Sequence, residues 1–378
     1  MTAPREVPLI EDGAALERLL AAIGRPPRIA VDTEAASYHR YSDGICLVQL
    51  STEAVTALVD TLRVTDLAPL RALLADPAVE SVFHDGDYDL RLLDRDHDVR
   101  VARLFDTRVA AQLLGEPGIG LAALLEKYAG ITLDKKYQRA DWSKRPLEPG
   151  MLAYAAADTH HLLALRDTLE GRLRELGRLT WAEEEFQLQS GVRWSGAAPE
   201  EAYLKVKGAR LLKPRARAVL RELYAWRDAT ARRLDRASFR VMNPDVLLAI
   251  AEAMPRDRAA LRQIKGVSPD QAERRGAEML AAVERGLAIP EDQLPRLERG
   301  KRPPPDPEFD ARMERLKVAR NVAAERLGLQ PGVLCPNGTL EAVAKRRPEH
   351  VDALAEIAEL RRWQAEVLGA ELVAAVGR

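Results

Sequence analysis

With 378 residues, 47% of them hydrophobic and 30% charged, and a formal net charge of −1, the chain has the makeup of a soluble globular protein with room for two or three domains. Only two cysteines, Cys46 and Cys335, stand far apart in sequence, which argues against a disulfide scaffold or a cysteine-ligated zinc site and fits a reducing compartment. The N-terminal MTAPREVPLI has no apolar signal core, and no run approaches the roughly 20 apolar residues that span a bilayer, so a cytoplasmic protein with no membrane association is expected.

The first half alternates short apolar runs with helical patterns. RIAVDTE (28–34), ICLVQLS (45–51) and TALVD (56–60) read as strands, bounded by turn residues. LAPLRALLAD (67–76) reads as a helix, ESVFH (80–84) as a strand, and YDLRLLDRD (88–96) as the start of a helix. Helices follow at 107–115 and 121–130, each ending on a glycine stop. After the polar loop LDKKYQRADWSKRPL (133–147), one long helix is expected from Glu148 past Leu165. Three hairpin-like strands followed by alternating helix and strand predict an α/β domain around one mixed sheet.

Beyond about residue 200 the strand signals fade. Helices are expected at 215–235, 244–253, 257–264 and 270–285, and again at 311–327, 339–346, 350–357 and 359–376. The Pro-rich LPRLERGKRPPPDPEFD (294–310) between the two sets predicts a linker without regular structure. The domains expected are thus a catalytic domain at 1–200, a helical module at 208–290, a linker at 291–307 and a related module at 308–378. From Lys205 to Arg236 there are eleven Lys/Arg and three acids, a local excess of +8. That stretch is either a phosphate-binding surface or a solvated helical face.

Three acidic clusters carry the chemistry. Asp32-Thr33-Glu34 closes an apolar strand, and strand alternation puts Asp32 and Glu34 on one face. A chain with 58 acids contains about eight or nine acid-x-acid pairs by chance, so the position of the pair, at a strand end, is the informative part. HDGDYDLRLL (84–93) offers three aspartates where strand gives way to helix. Here Asp87 is expected to cap the helix, Asp85 to face solvent and Asp89 to point along the core side. YAAADTHHLL (154–163) sets Tyr154 and Asp158 one helical turn apart on a face kept open by alanines. If Asp32, Glu34, Asp89 and Asp158 converge, each pair of charges at 4 Å costs about 4 kcal/mol at an effective dielectric near 20. Such a cluster persists only when protonated or loaded with metal. Oxygen-only ligands select hard ions, and two Mg²⁺ or Mn²⁺ ions would balance four carboxylates.

These residues resemble the motifs of the RNase D family of DEDD 3′→5′ exonucleases, in the subgroup with a tyrosine in its last motif. Asp32-Thr33-Glu34 followed by Cys46-Leu47-Val48-Gln49-Leu50, His84 to Asp89, Asp106-Thr107, Leu133 to Leu147 and Tyr154 to Asp158 stand in the family's order. The resemblance selects Asp89 within the second motif and covers roughly residues 8–190. The helical modules, through Trp226-Arg227, Asn243-Pro244 and Leu261 to Gly266, are similar to HRDC domains. The implied fold is an RNase H-like α/β exonuclease domain with a mixed sheet, followed by two all-α HRDC-type bundles.

The resemblance also implies roles. Asp32 would bridge two divalent cations, Glu34 and Asp158 would hold the ion that activates water, Asp89 would hold the other, and Tyr154 would orient the water. The implied substrate is RNA with a single-stranded 3′ end, tRNA precursors included, processed by a monomeric enzyme that releases nucleoside 5′-monophosphates. A DNA 3′→5′ exonuclease and a non-catalytic RNA-binding protein are the alternatives. In the polar loop, Lys135, Lys136, Arg139, Lys144 and Arg145 could grip the substrate backbone or serve as surface charge. Trp142 either offers a stacking face or anchors the loop.

Overall fold

The computed structural model describes residues 7–196, 199–297 and 306–377. Six strands form one mixed sheet: β1 (Leu9–Ile10), β2 (Arg28–Ala35), β3 (Ile45–Ser51), β4 (Thr56–Val59), β5 (Glu80–Phe83) and β6 (Arg103–Asp106), in the order β1-β4-β3-β2-β5-β6. β3 and β4 form an antiparallel hairpin, while β5 runs parallel to both β2 and β6. All seven residues of β3 are buried, as expected of a central strand covered on both faces. β1, only two residues long, and β6, which opens on an exposed arginine, were not expected from the sequence.

Helices fill both faces: α1 (Gly13–Ile23), α2 (Ala68–Leu74), α3 (Asp87–His97), α4 (Thr107–Leu113), α5 (Leu121–Ala129), α6 (Pro149–His160), α7 (Leu162–Glu175) and α8 (Leu179–Ser190). The single helix expected from Glu148 past Leu165 is two, broken at His161, whose N–H bonds to Thr159 O. Tertiary contacts fix the break. Thr159 Oγ1 meets Ser51 Oγ at 2.8 Å and His160 Nδ1 meets Thr56 Oγ1 at 3.0 Å, pinning the end of α6 to the β3–β4 hairpin. The tandem histidines therefore serve packing. Asp87 does not cap α3: Gly86 is the N-cap, and Asp87 lies in the first turn, paired with Arg91 at 2.8 Å.

The described residues form two compact units, one containing 7–34, 45–194 and 306–377, the other 35–44, 195–196 and 199–297. The later helices are α9 (Pro214–Leu234), α10 (Ser238–Val241), α11 (Pro244–Ala253), α12 (Arg258–Arg262), α13 (Pro269–Ala288), α14 (Phe309–Leu327), α15 (Pro331–Leu334), α16 (Asn337–Arg346) and α17 (Arg362–Gly377). Helices α14–α17, the second module of the sequence, are integral to the first unit. Trp181 of α8 stacks on Trp363 at 4.9 Å between ring centres. Glu184 accepts from the backbone N–H groups of Arg362 (2.8 Å) and Trp363 (3.1 Å), supplying the acidic partner that the start of α17 favours. Gly115, with φ +77°, sits so close to the second module that a Cβ there would lie 2.0 Å from Gly328 O.

The other unit is built from α9–α13 around Leu220, Leu223, Leu247, Ile250, Leu261 and Met279. Gly286 lets α13 approach α9, since a Cβ there would sit 2.5 Å from Val219 Cα. The basic stretch at 205–236 is not one uniform surface. Arg217 is buried and donates to Leu212 O (2.7 Å) and Pro295 O (2.8 Å), Arg215 donates to Leu287 O (3.1 Å), and buried Arg227 lies 4.5 Å over the Tyr224 ring. These three cations hold helix ends and core. In the stretch expected to be linker, Glu291–Gln293 makes a 3₁₀ turn and α14 begins at Phe309, while 298–305 lie outside the described residues.

The polar loop before α6 is anchored by Arg145. Its guanidinium makes two hydrogen bonds to the fully buried Asp60, at 2.5 and 2.7 Å, and others to Cys46 O (2.9 Å) and Trp142 O (2.7 Å). Removing one member of a buried, hydrogen-bonded ion pair strands the other charge. Arg145→Met is therefore expected to destabilise the folded state by about 3–5 kcal/mol in urea denaturation; a loss under about 1 kcal/mol would show that the pair is not the anchor.

Candidate active site

Three segments remote in sequence build the site. β2 ends beside the sheet's crossover and presents Asp32 and Glu34 on one face by its pleat. α6 presents Asp158 one turn after Tyr154, between small residues: Ala155 and Ala156 are buried, so the helix lies close to β3 and β4. One carboxylate oxygen from each of Asp32, Glu34 and Asp158 lies within 4.8 Å of the others. Asp89, in the first turn of α3, is buried and accepts a short hydrogen bond from Thr33 Oγ1, the residue between Asp32 and Glu34 on β2. All four carboxylates and Tyr154 line one cavity of about 540 Å³.

Their titration reflects the crowding. Burial, then the charges of Asp89, Asp158 and Glu34, holds the Asp32 carboxyl well above the ordinary range. Burial and the neighbouring Asp158 and Asp89 push Glu34 up to about 9. Burial raises Asp158 to about 7 and Asp89 to about 6, the latter against the opposing hydrogen bond from Thr33. Tyr154 is raised by burial and by Asp158, Glu34 and Asp32, so its phenol stays protonated. No cation of the protein neutralises the Asp32–Glu34–Asp158 group among the hydrogen bonds and ion pairs of the described residues. Clustered carboxylate oxygens that lack a cationic partner fit hard divalent ions and do not suit a softer metal.

The loop residues separate into two groups. Trp142 is 1% exposed, packed 6.1 Å from the Tyr154 ring on the core side. It cannot stack on a base, and the expectation that it binds substrate is corrected to loop anchor and backing for Tyr154. Arg145 is corrected likewise, since Asp60 and three carbonyls consume its guanidinium. Tyr137 closes the other side of Tyr154, with ring centres 6.4 Å apart. Gly150, in the first turn of α6, makes room for it: a Cβ there would meet Tyr137 Oη at 2.5 Å.

Lys135, Lys136, Arg139 and Lys144 are exposed, and of these only Lys135 lines the cavity. The Lys136 amino group sits 4.9 Å over the Tyr137 ring. Sequence reasoning missed Tyr88 and Arg108, which also line the cavity. Tyr88 is 45% exposed beside Asp89, and an exposed aromatic next to a candidate ligand was the available signal.

Comparison with known proteins gives this geometry its context. Residues 7–174 match the model of a 3′-5′ exonuclease family, and residues 216–283 and 309–376 each match the HRDC domain. The chain is 32% identical over 373 residues to ribonuclease D of Granulibacter bethesdensis, covering 97% of this chain and 91% of that protein. It is 35% identical over 288 residues to ribonuclease D of Escherichia coli K12, covering 76% of each. The crystal structure of Escherichia coli RNase D, described as an exoribonuclease involved in structured RNA processing, superposes with a TM-score of 0.74 at 28% identity over 98% of this chain and 99% of that one. Fold, motif order and full-length similarity agree, and the chain belongs to the ribonuclease D family of 3′→5′ exoribonucleases.

Proposed function

We propose that this exoribonuclease trims the single-stranded 3′ ends of structured RNAs, tRNA precursors among them, with two divalent cations held by Asp32, Glu34, Asp89 and Asp158. The observation that carries the reading is the meeting of carboxylates from β2, α3 and α6 in one half-buried cavity, with no cation among the described residues paired to Asp32, Glu34 or Asp158. Divalent ions bound there, Mg²⁺ or Mn²⁺, supply the neutralising charge and Lewis acidity that hydrolysis of a phosphodiester needs. Asp32, Glu34 and Asp158 form the tight group, and Asp89 stands beside it, held by Thr33. The protonated phenol of Tyr154, clamped between Trp142 and Tyr137, orients the attacking water by hydrogen bonding and takes no proton itself. Lys135, at the cavity wall, contacts the phosphate backbone of the incoming strand. No side chain acts as a nucleophile, so the rate comes from positioning and electrostatics. The relatives named ribonuclease D support RNA as the substrate.

The direct test incubates a 3′-tailed tRNA, and its DNA analogue, with the purified protein with and without EDTA. Metal-dependent release of 5′-monophosphates from the RNA is expected; equal digestion of the DNA would move the assignment to a general exonuclease. Asp32→Asn and Asp158→Asn are expected to abolish digestion while RNA binding persists, and full activity in either would refute the ligand roles. Tyr154→Phe should slow hydrolysis by about 10²-fold and leave metal affinity unchanged in a titration.

The raised carboxyl groups also set a pH dependence. In the metal-free protein the folded state keeps protons on Glu34, Asp158 and Asp89 that the unfolded chain has already released. Stability therefore falls as pH rises through about 6, 7 and 9, the folded values of these three groups. EDTA-treated protein should melt at progressively lower temperature from pH 5 to 9, and Mg²⁺ should restore the loss most at the alkaline end. A melting temperature flat or rising with pH across that window, without metal, would contradict the charge crowding.

A further inference from the structure

Asp106 lies at the end of β6 with its side chain wholly buried, and it takes no part in the site as described so far. Its carboxylate is saturated. Oδ1 accepts from the backbone N–H groups of Asp85 (3.1 Å), Arg108 (2.8 Å) and Val109 (3.2 Å). Oδ2 accepts from Gly86 N–H (2.8 Å) and from Gln189 Nε2 of α8 (2.8 Å). A carboxylate has about four lone-pair positions, so five donors leave none for a metal ion.

What those donors have in common is the turn that delivers Asp89. Asp85 is one of the few non-glycine residues with positive φ, at +62°. Its amide and that of Gly86 are both held by Asp106, and its carboxylate pairs with Arg108. Gly86 is packed so closely on Phe83 that a Cβ would sit 2.7 Å from the phenylalanine Cβ. The next residue on the strand side, His84, meets Thr107 Oγ1 at 2.9 Å, and Thr107 donates to Phe83 O at 3.1 Å. Gly86 O accepts the first helical bond of α3, from Leu90 N–H at 2.9 Å, and Asp89 stands in that same turn. The left-handed residue and the start of α3 are thus fixed by one buried carboxylate.

Building on the ligand role given to Asp89 above, we infer that Asp106 is a positioning residue: it holds the His84–Gly86 turn so that Asp89 reaches the metal cluster, with Gln189 as its donor from α8. Outer-shell groups of this kind hold ligands in place, and their loss costs roughly 10–100-fold in metal affinity or activity. Asp106→Asn keeps the shape but turns one acceptor oxygen into a donor facing backbone N–H groups. Gln189→Ala removes one donor of five and spares the turn's own bonds.

The test uses the full chain and Mn²⁺ alone as probe, titrated by calorimetry without RNA. Thermal melts and RNA hydrolysis follow across a range of Mn²⁺ concentrations. Asp106→Asn is expected to weaken Mn²⁺ binding about 10-fold and Gln189→Ala about 3-fold. KM for RNA should stay unchanged, and kcat should recover in part as Mn²⁺ is raised. A merely structural role would lower the melting temperature without moving Mn²⁺ affinity. The inference is overturned if both variants bind Mn²⁺ within about two-fold of the parent while Asp89→Asn loses binding. If Asp89→Asn itself binds and hydrolyses like the parent, the ligand assignment fails and this inference falls with it. Should Asp106→Asn not fold, Gln189→Ala decides alone.

Discussion

Four carboxylates share one half-buried pocket, and the repulsion between them is the constraint that the surrounding structure serves. Like charges a few ångströms apart push one another, and burial strengthens the push by lowering the local dielectric. The consequence is visible in Glu34 and Asp32, whose carboxyls burial and neighbouring charge drive far above the ordinary range. A chain left to minimise its own energy would spread such groups out. Here rigid elements prevent it. The pleat of β2 fixes two acids on one face, the pinned end of α6 fixes a third, and the tight turn before α3 fixes the fourth. Protonation or a bound cation relieves the repulsion.

Other buried acids in the same fold show how a carboxylate outside the cluster is accommodated. Asp60 is matched by the fork of Arg145. Glu80 is matched by Arg166 at 2.7 Å and Arg103 at 3.1 Å. Asp106 is surrounded by N–H donors. Each has its charge answered within hydrogen-bonding distance, as burial demands. Asp32, Glu34 and Asp158 differ by having no such cationic partner among the described residues, and that contrast, rather than the mere presence of acids, separates the site from the scaffold.

The two helical modules are alike in sequence rhythm and unlike in their place in the structure. The second belongs to the same compact unit as the sheet, joined by the Trp181–Trp363 stack, by Glu184 and Glu185 at the start of α17, and by the close approach of Gly115 to Gly328. Helix α8 shows two sides of this: one face meets α17, while Gln189 near its end reaches Asp106. The first module has its own core, and it gathers residues 35–44 to itself through Tyr41, whose hydroxyl donates to Asp228 at 3.0 Å. Several of its arginines are spent on carbonyls and aromatic faces inside that core, which leaves a thinner cationic surface than the composition alone suggests.

The sequence by itself determined most of the local elements and the pairing of acids within each, because alternation along a strand and a one-turn spacing on a helix are short-range facts; the choice of Asp89 among three aspartates came from the family resemblance. Asp32 and Glu34 on one face, Tyr154 and Asp158 on another, and the all-α second half were legible from those periods. What only the tertiary structure decided depends on residues far apart in the chain. The break at His161 follows from bonds to Ser51 and Thr56. Trp142 and Arg145 read as nucleic-acid contacts in a polar loop, and both turn inward because Tyr154 and Asp60 wait for them across sequence gaps that no local pattern spans. β6 was not read as a strand, and with it went the significance of Asp106, whose five partners come from three segments. Spacing names a side chain's neighbours along its own element; only packing names its partners.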